Sequence, residues 1–495
     1  MKFLSTALWW LIGLFILVGL GYGFYYMLSE GVGIWLLTLA SVYILSVVFS
    51  LFLFTQKRHE AAKLSWLIIM ITMPLFGHII FFAFGRRYSK RKLQKEYLLK
   101  ENFKYEVMKK NRTLSEDVED FFIKQQNVSK RGIYNADYKI FRSGIEAYKN
   151  LFKDLKSAKE FIHIEMYIFH QGEIYDEFKS IIIKKASEGV EVKIIVDDFG
   201  RWAMPWYEIK ELAKKGIKVK IFNKVRFPFI SSDDGFRSHR KMFIIDGKMA
   251  HIGGMNIGDE YASLNKMYGE WLDFQTKVSG EAVKSISLLF IQDWKDVSGK
   301  QLSFNRYLKK TTGGKSQSIL VEDSPEIHEQ ILNDSIVSWI SKAKNKVTLV
   351  TPYFIPTPTI FDAIKRAAQS GVDVTIYIPG RADKNYVMIA TMFWVRQAAQ
   401  YGVKFRLMNE TIVHSKIGLF DDKVAYFGSA NIDMRSSYSQ LEFISLVSGP
   451  VVKDLNSVLA SYKASSRPVV EKDFKASWIK TKLVRTYVTI FSPLF

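Results

Sequence analysis

The chain has 495 residues, with 70 Lys and Arg against 49 Asp and Glu, and a formal net charge of +21. This length is sufficient for two or three domains, and the charge predicts an anionic partner, either nucleic acid or anionic lipid. Because the chain has no cysteine, a disulfide framework and cysteine-based metal or nucleophile sites are excluded.

Two long uncharged stretches open the chain, one between Lys2 and Glu30 and one from Gly31 to Gln56. Each is long enough to cross a bilayer as a helix, so residues 1–56 are predicted to form a transmembrane hairpin. A cleaved signal peptide fits poorly, because the first run is too long and a second follows at once. The hairpin favours lipid over nucleic acid as the anionic partner.

A third apolar run, residues 64–85, lies within the segment 57–92 and contains Pro74. Basic residues flank it on both sides, and basic loops prefer the cytoplasmic side of a membrane. We therefore expect a re-entrant or interfacial segment, with a full span as the alternative. This predicts a multi-pass protein of the cell membrane, with its C-terminal domains on the cytoplasmic side.

Residues 86–112 carry eleven Lys or Arg against three Glu, with aromatic and leucine residues interleaved. This pattern suits a helix lying on an anionic membrane surface, although a solvated linker has the same composition. We predict a basic connector on the membrane surface over residues 93–137.

From about residue 138 onwards, the pattern alternates strands and helices, as in α/β folds. The same order occurs twice, which predicts a duplicated domain: strand 161–169, helix 174–187 and strand 189–196, then strand 347–354, helix 359–369 and strand 371–378. A polar break near residues 300–315 separates the copies. The predicted fold is therefore two tandem α/β/α domains, residues 138–305 and 306–495, that form a pseudo-dimer.

Each half contains the motif H-x-K-x4-D-x6-G-[GS]-x-N. The first copy, 239–256, supplies His239, Lys241, Asp246 and Asn256, and the second, 414–431, supplies His414, Lys416, Asp421 and Asn431. In an extended segment, the His and Lys of one copy point the same way. Lys and Asn can hold a phosphate, one His can attack phosphorus, and the other can protonate the leaving oxygen. Two lysines would neutralise charge that a metal ion handles elsewhere.

This doubled motif resembles the signature of the phospholipase D superfamily, and more narrowly the chain resembles the bacterial cardiolipin synthases. The narrower match rests on the N-terminal apolar segments and on the stretches Met73-Pro74-Leu75-Phe76-Gly77, Asn256-Ile257-Gly258-Asp259-Glu260-Tyr261 and Thr351-Pro352-Tyr353-Phe354-Ile355-Pro356. The resemblance implies two phospholipase D-like domains, His239 as nucleophile and His414 as acid and base.

Asp273 and Glu442 occupy equivalent strand positions after the two motifs. A histidine that acts as nucleophile or acid needs an acceptor at its other ring nitrogen. We expect Asp273 to orient His239 and Glu442 to orient His414, as the resemblance also implies. Although Asp246 and Asp421 belong to the motif, we expect them mainly to stabilise the turn behind it.

The predicted function is cardiolipin synthesis from two phosphatidylglycerol molecules, through a phosphatidyl-histidine intermediate and with no metal or other cofactor. Phosphatidylglycerol and anionic membrane lipid are the expected partners, and nucleic acid is not. The alternatives are another phosphatidyltransferase or a phospholipase D that uses water. A superfamily nuclease and a non-catalytic scaffold are disfavoured by the membrane segments and by the intact motifs. The oligomeric state stays open.

Overall fold

The structure is a computed structural model. It describes residues 18–19, 21–23, 25–26, 29, 32–55, 60–74, 76–84, 116–201, 203–225, 236–265, 269–324, 330–474, 482–484 and 486–487. The chain divides into an N-terminal unit, Met1–Tyr88 with Phe229–Ser232, and a C-terminal unit, Ser89–Pro228 with Asp233–Phe495. Most of the first predicted membrane span and residues 93–115 of the predicted connector lie outside the described residues.

The N-terminal unit contains α1 (Val32–Phe54), α2 (Glu60–Thr72) and α3 (Phe76–Phe84). Within the described part of the chain, one helical stretch, Leu36–Phe54, is long and apolar enough to cross a membrane. It coincides with the second predicted span.

The third predicted apolar segment is broken into α2 and α3 at Pro74, which cannot donate a backbone hydrogen bond within a helix. The two helices pack closely where Gly77 faces α2, since a Cβ there would lie 2.4 Å from the backbone oxygen of Ile69. Phe81 joins α1 to α2 through edge-on contacts with Phe49 and Trp66. This apolar run is therefore a helix–break–helix, as its central proline predicts.

The C-terminal unit starts with α4 (Glu116–Ser129), and two similar halves follow. The first half contains β1 (Ile133–Phe141), α5 (Gly144–Ser157), β2 (Phe161–Met166), α6 (Glu173–Ser187), β3 (Glu191–Asp197), α7 (Asp198–Arg201), α8 (Trp206–Lys214), β4 (Lys218–Phe222), β5 (Arg237–Ser238), β6 (Met242–Ile245), β7 (Met249–Gly253), β8 (Trp271–Leu272), β9 (Gln275–Gly280), α9 (Val283–Ser298) and α10 (Phe304–Tyr307), with a 3₁₀ helix at Asp259–Ala262.

The second half repeats this order from residue 316. It contains β10 (Ser316–Asp323), α11 (Ile331–Lys342), β11 (Lys346–Val350), β12 (Phe354–Ile355), α12 (Pro358–Gln369), β13 (Asp373–Ile378), α13 (Asn385–Ala399), β14 (Lys404–Met408), β15 (Ile412–Val413), β16 (Ile417–Phe420), β17 (Val424–Gly428), β18 (Ile432–Asp433), α14 (Met434–Tyr438), β19 (Gln440–Ser448), α15 (Pro450–Ala464) and β20 (Ser466–Pro468), with a 3₁₀ helix at Glu471–Phe474. The strands and helices predicted from the sequence are confirmed, apart from shifts of a few residues at their ends.

A single mixed sheet runs through both halves. Read outward from its centre, the first half has the order β1-β9-β7-β6-β2-β3-β4 and the second has β10-β19-β17-β16-β11-β13-β14. The two orders match strand for strand, and β1 and β10 pair antiparallel at the centre, where Ile133 faces Ile319. The predicted pseudo-dimer of tandem α/β/α domains is therefore confirmed, and the halves share one continuous sheet.

The central core draws on both halves, because the strands near the junction are covered by helices on both sides. Phe274, which directly precedes β9, and Val278 of β9 lie in one buried cluster with Phe427 of β17 and Val447 of β19. The rings of Phe274 and Phe427 have centroids 4.9 Å apart. Burial of aromatic side chains of this size contributes about 2 kcal/mol each, so the two halves stabilise one another.

The predicted connector, 93–137, extends too far into the chain. Helix α4 buries Phe121 and Phe122 in the core of the second half, and Gln125 donates to Ser335 at 2.9 Å. The apolar stripe of α4 thus packs on protein, and residues 116–137 belong to the C-terminal unit.

The boundary between the halves falls later than residue 305. Tyr307 packs edge-on against Phe161 with ring centroids 5.0 Å apart, and its hydroxyl donates to Glu191 at 2.5 Å. Both partners belong to the first half. Helix α10 therefore closes the first half, and the second begins with β10.

Candidate active site

Each motif histidine is delivered by a short strand that pairs with the opposite half. β5 runs parallel to β19, and the amide of His239 donates to the carbonyl of Leu441 at 2.9 Å. β15 runs parallel to β8, and the amide of His414 donates to the carbonyl of Leu272 at 2.7 Å. The two motifs are therefore built into the junction, and neither half holds its histidine alone.

The ring of His239 is oriented by two acceptors from the second half. Its Nδ1 lies 2.9 Å from Oε1 of Glu442 and 3.2 Å from the carbonyl oxygen of Ser429. A carbonyl can only accept, so Nδ1 carries the proton. The other nitrogen, Nε2, then presents its lone pair when the ring is neutral, which is the form that a nucleophile needs.

The ring of His414 is held by a carboxylate of the first half. Its Nδ1 donates to Oδ2 of Asp273 at 2.6 Å, and Oδ1 of Asp273 accepts from the amide of Phe274 at 2.7 Å. Gly254 leaves room for this carboxylate, because a Cβ there would lie 2.2 Å from Oδ1. This close approach explains why the motif has Gly or Ser two residues before its asparagine.

The predicted pairing of histidines with carboxylates is wrong. Asp273 orients His414, and Glu442 orients His239. The reason is the exchange of strand pairs: β5 lies beside the start of β19, the strand that contains Glu442, and β15 lies beside β8, which ends next to Asp273. Each histidine therefore meets the carboxylate of the opposite half.

The two motif lysines are buried beside the histidines. Lys241 donates to the carbonyl of His239 at 2.6 Å, and Lys416 donates to the carbonyl of His414 and lies 3.9 Å from Asp273. Burial is the first cause that lowers the pKa of both ammonium groups, and for Lys241 the pKa falls well below its usual value. An anionic phosphate would offset that loss of solvation, so the pair is suited to bind one.

The two histidines differ in their electrostatic surroundings. Burial, followed by the charges of Lys241, Lys416, His414 and Arg435, places the pKa of His239 well below its ordinary value. Burial and Lys416 also lower the pKa of His414, but Asp273 and Asp383 act in the opposite direction. His239 is thus the histidine more strongly held neutral, and His414 is the one better placed to carry a proton.

The motif asparagines hold different partners. Asn256 accepts from the amide of Ile168 at 3.3 Å and donates to the Tyr261 hydroxyl at 2.5 Å. Asn431 lies beside Asp433, and its buried Oδ1 has no hydrogen-bond partner among the described residues. Asn431 therefore keeps polar capacity for a ligand.

The motif aspartates close turns behind the strands. Asp246 accepts from the amides of Lys159, Glu160 and Phe161 at 2.8–2.9 Å. Asp421 accepts at 2.7–2.8 Å from the amides of residues 344–346. Both have positive φ, +51° and +50°, which Asp tolerates better than most residues. The structural role predicted for them is confirmed, and they are not grouped with the histidines and lysines.

Aromatic side chains line the site on both sides. The ring of Tyr167 meets His239 edge-on at 5.1 Å between centroids and lies 5.2 Å from the Lys241 ammonium. The ring of Tyr353 meets His414 edge-on at 6.4 Å, and its hydroxyl donates to Asp383. Each histidine is therefore contacted by a tyrosine from its own half. Of the two tyrosines, the one on the His414 side, Tyr353, has a carboxylate partner, Asp383.

Sequence reasoning missed the residues around Glu442. Ser436 donates to Oε1 of Glu442 at 2.9 Å, and its neighbour Arg435 is half-buried, with its charge acting on His239 and Tyr167. In the part of the chain that the structure describes, no ion pair or hydrogen bond engages this guanidinium. The signal available was the Arg-Ser pair four and five residues after Asn431, which has no counterpart after Asn256.

The residue between His and Lys of each motif was also missed. Arg240 forms a buried ion pair with Asp293 at 2.5 Å and donates to the carbonyl of Asp323 at 3.1 Å. At the equivalent place in the second half, the hydroxyls of Ser415 and Tyr462 lie 2.9 Å apart. The halves therefore support equivalent histidine strands with a charged pair in one case and a neutral pair in the other.

Among the residues that the structure describes, no group of three or more potential metal-binding side chains occurs. The expectation that no cofactor is needed stays a prediction.

The chain matches two families of known proteins. The family described as "Cardiolipin synthase, PLD-like domain" matches residues 151–294 and 336–462, one stretch in each half. The family described as "Phospholipase_D-nuclease N-terminal" matches residues 34–86.

Similar proteins cover most of the chain. A cardiolipin synthase of Alkalihalophilus pseudofirmus is 32% identical over 418 residues, which are 82% of this chain and 83% of that protein. A cardiolipin synthase of Geobacillus sp. (strain WCH70) is 31% identical over 463 residues, 91% of this chain and 92% of that protein. Among solved structures, the phosphatidylserine synthase of Haemophilus influenzae Rd KW20 has a TM-score of 0.59 at 14% identity, covering 76% of this chain and 100% of that one, a likeness of fold.

The shared sheet, the two histidine-lysine pairs at its junction and these matches define a membrane-associated phosphatidyltransferase of the phospholipase D type that acts on phospholipids. Within that class, the chain belongs to the cardiolipin synthase family. The predicted family is therefore confirmed.

Proposed function

We propose that the protein transfers the phosphatidyl group of one phosphatidylglycerol to the glycerol hydroxyl of a second, giving cardiolipin and glycerol. The observation that carries the proposal is the junction site, where two oriented histidines and two buried lysines meet in a chain of the cardiolipin synthase family. Phosphatidylglycerol is proposed as both donor and acceptor.

In the first step, Nε2 of His239 attacks the phosphorus of the donor lipid. The bond between phosphorus and the glycerol oxygen breaks, and His414 gives its proton to that oxygen as glycerol leaves. The phosphate oxygens gain negative charge in the transition state, which the buried Lys241 and Lys416 stabilise. The product of this step is a phosphatidyl group on His239, with His414 neutral.

In the second step, neutral His414 takes the proton of the acceptor's primary hydroxyl. The hydroxyl oxygen attacks phosphorus, the phosphorus–nitrogen bond breaks, and its electron pair returns to Nε2 of His239. Atoms and protons balance, because His414 regains the proton that it gave to glycerol. The proposed chemistry needs no metal or nucleotide.

The assignment of His239 as nucleophile rests on its surroundings. Nδ1 acts as a donor because the Ser429 carbonyl can only accept, and the positive charges of Lys241, Lys416, His414 and Arg435 disfavour protonation of the ring. His414 is close to the carboxylates of Asp273 and Asp383, which favour its protonated form. A neutral nucleophile and a protonated acid are the states that the first step requires.

The acceptor brings a second phosphate, and we assign Arg435 to it. The donor phosphate uses both motif lysines, so the acceptor phosphate, one glycerol away, needs another cation. Arg435 is half-buried next to His239. A guanidinium can bind two phosphate oxygens at once. This assignment would favour an anionic lipid acceptor over water.

We also propose how the chain crosses the cell membrane and on which side its C-terminal unit lies. Helix α1 and the broken pair α2–α3 suit one crossing and one segment that enters the membrane without crossing, and the sequence before α1 supplies a further apolar run. Basic flanks favour the cytoplasmic side for the C-terminal unit. A multi-pass protein of the cell membrane would meet phosphatidylglycerol in the leaflet that it faces. Nucleic acid is not proposed as a partner.

The test is lipid mass spectrometry on the purified full chain in phosphatidylglycerol vesicles, with EDTA present. The proposal predicts cardiolipin and glycerol in equal amounts from the unchanged protein and loss of at least about 10³-fold in H239A and H414A, as expected when a group that acts in every turnover is removed. K248A, a change at a residue outside the site, serves as control and keeps the rate. Phosphatidic acid in place of cardiolipin would instead show a phospholipase D.

A further inference from the structure

Two groups of exposed large apolar side chains in the C-terminal unit follow the equivalent strands β3 and β13. In the first half, Phe199, Trp206 and Tyr207 are 40%, 49% and 62% exposed, and in the second half Tyr386 and Ile389 are 50% and 39% exposed. Aromatic side chains of this size carry a large apolar area. We call these five residues the aromatic rim.

The two parts of the rim are related by the internal symmetry. β3 and β13 occupy the same place in the two halves of the sheet, with Glu191 and Asp373 at equivalent register positions. Both parts of the rim lie between these strands and the next equivalent strands of the sheet, β4 and β14. The duplicated fold therefore presents apolar side chains twice, each time after the carboxyl end of the equivalent strand.

The first part of the rim adjoins the nucleophile's strand. Asp197, the last residue of β3, accepts from the amide of Ser238 at 2.8 Å, which is the residue before His239. The guanidinium of Arg237 stacks on Phe199 at 4.5 Å. One layer of side chains therefore separates His239 from the exposed Phe199.

The second part of the rim adjoins the other histidine in the same way. Tyr353, which contacts His414, donates to Asp383, and the Lys384 ammonium lies 5.9 Å from the Tyr353 ring. Tyr386 follows two residues later at the start of α13. The rim is thus close to the site on both sides of the junction.

Cations accompany the exposed aromatic rings. Arg201 and Lys224 lie 4.5 Å and 5.9 Å from the Trp206 ring, and Arg381 and Lys384 are exposed before Tyr386. Arg201 is paired with Asp198, whereas Lys224 and Lys384 extend into solvent. Trp and Tyr with flanking Lys and Arg are the composition of a membrane–water interface.

We propose that the aromatic rim docks the C-terminal unit on the surface of an anionic bilayer, so that a lipid head group moves to the two histidines while its acyl chains stay in the membrane. This inference rests on the proposed lipid substrate. A bilayer is the occupant that fits, because the rim combines apolar rings with cations and because it has two symmetry-related parts on either side of one lipid site.

The test compares one enzyme on two substrates. W206S/Y207S and I389S are made in the full chain and assayed on long-chain phosphatidylglycerol in vesicles and on dihexanoyl phosphatidylglycerol below its micelle concentration. The proposal predicts a loss of about 10-fold or more on vesicles for W206S/Y207S, and a rate within about 2-fold of the unchanged protein on the dispersed lipid. I123S/V128S removes two residues of similar exposure on α4 and keeps both rates.

A second readout does not depend on catalysis. The Trp206 contribution to fluorescence, obtained as the difference between the unchanged protein and W206F, should be quenched by brominated lipid in phosphatidylglycerol vesicles. Quenching without any cardiolipin formation would retain the docking surface and reject the proposed reaction. Equal loss on both substrates, or an unquenched Trp206, would overturn the docking surface. Retention of vesicle activity by W206S/Y207S would overturn it as well, and would leave the rim to a protein partner.

Discussion

Nδ1 of His239 lies 2.9 Å from Oε1 of Glu442, a carboxyl group that follows the other motif in the chain. The reciprocal pair, His414 and Asp273, is 2.6 Å apart. Catalysis in this fold therefore depends on contacts across the junction, and each half supplies the support for the histidine of the other.

The crossed pairing predicts which histidine responds to each carboxyl group. Burial raises the pKa of Glu442 to about 8, so its ionisation should move the ¹⁵N resonance of Nδ1 of His239 with a midpoint of about 8. E442Q should abolish that step, and D273N should leave it in place. Histidine-selective NMR spectra, with resonances assigned through H239Q and H414Q, provide the measurement. A step that survives in E442Q and disappears in D273N would indicate pairing within each half.

Arg435 is expected to act on substrate affinity. R435Q should raise the KM for phosphatidylglycerol by about 10-fold or more, since a charge-assisted bidentate contact is worth about 1.5–3 kcal/mol, and should increase the share of phosphatidic acid in the product. R435K should recover part of the affinity. Arg396, a basic residue on α13 outside the site, serves as the control in R396Q. An unchanged KM in R435Q would remove Arg435 from the acceptor site.

The acid limb of the pH profile of kcat/KM should lie at a lower pH than an ordinary histidine would give. His239 must be neutral to attack, and a lowered pKa keeps it neutral at lower pH. The acid limb of kcat/KM should therefore lie below pH 6.5, the ordinary pKa of histidine. R435Q removes one of the positive charges that lower this pKa, so the limb should move to higher pH. An acid limb above 6.5 in the unchanged protein would contradict the neutral nucleophile.

Substitutions at the equivalent buried supports of the two histidine strands should differ in their effect on the free energy of unfolding. D293A leaves Arg240 buried without its carboxylate and should lower the free energy of unfolding by about 3–5 kcal/mol. Y462F removes one hydroxyl contact to Ser415 and should cost about 1 kcal/mol. Denaturant unfolding of both variants in one detergent measures the difference. Equal costs would mean that the Arg240–Asp293 pair gives no special support to the His239 strand.

The sequence predicted the duplicated α/β fold because apolar runs, turns and the motif recur in the same order in both halves. It predicted the turn role of Asp246 and Asp421 because a polar residue that ends a buried strand commonly caps neighbouring amides. These features are local, and local periodicity determines them.

Which carboxyl group orients which histidine could not be predicted from local sequence periodicity. In a duplicated chain Asp273 and Glu442 are equivalent, so spacing alone does not distinguish a contact within one half from a contact across the junction. The extent of the connector was mispredicted for a related reason, since the stripe formed by Phe121 and Phe122 suits a membrane surface as well as the core that it joins. Arg240 was missed because its partner, Asp293, lies far away in the chain, and Arg435 was missed because its charge acts on His239 and Tyr167 of the other half.

The most direct test of the account is to locate the phosphatidyl group on the enzyme during turnover. Full-length protein is mixed with phosphatidylglycerol vesicles, quenched at alkaline pH, where a phosphorus–nitrogen bond to histidine survives, and digested for peptide mass spectrometry. The account predicts a phosphatidyl adduct on the peptide that contains His239 and its loss in H239A. An adduct on the His414 peptide, with none on the His239 peptide, would contradict the assignment of the nucleophile and the two-step mechanism built on it.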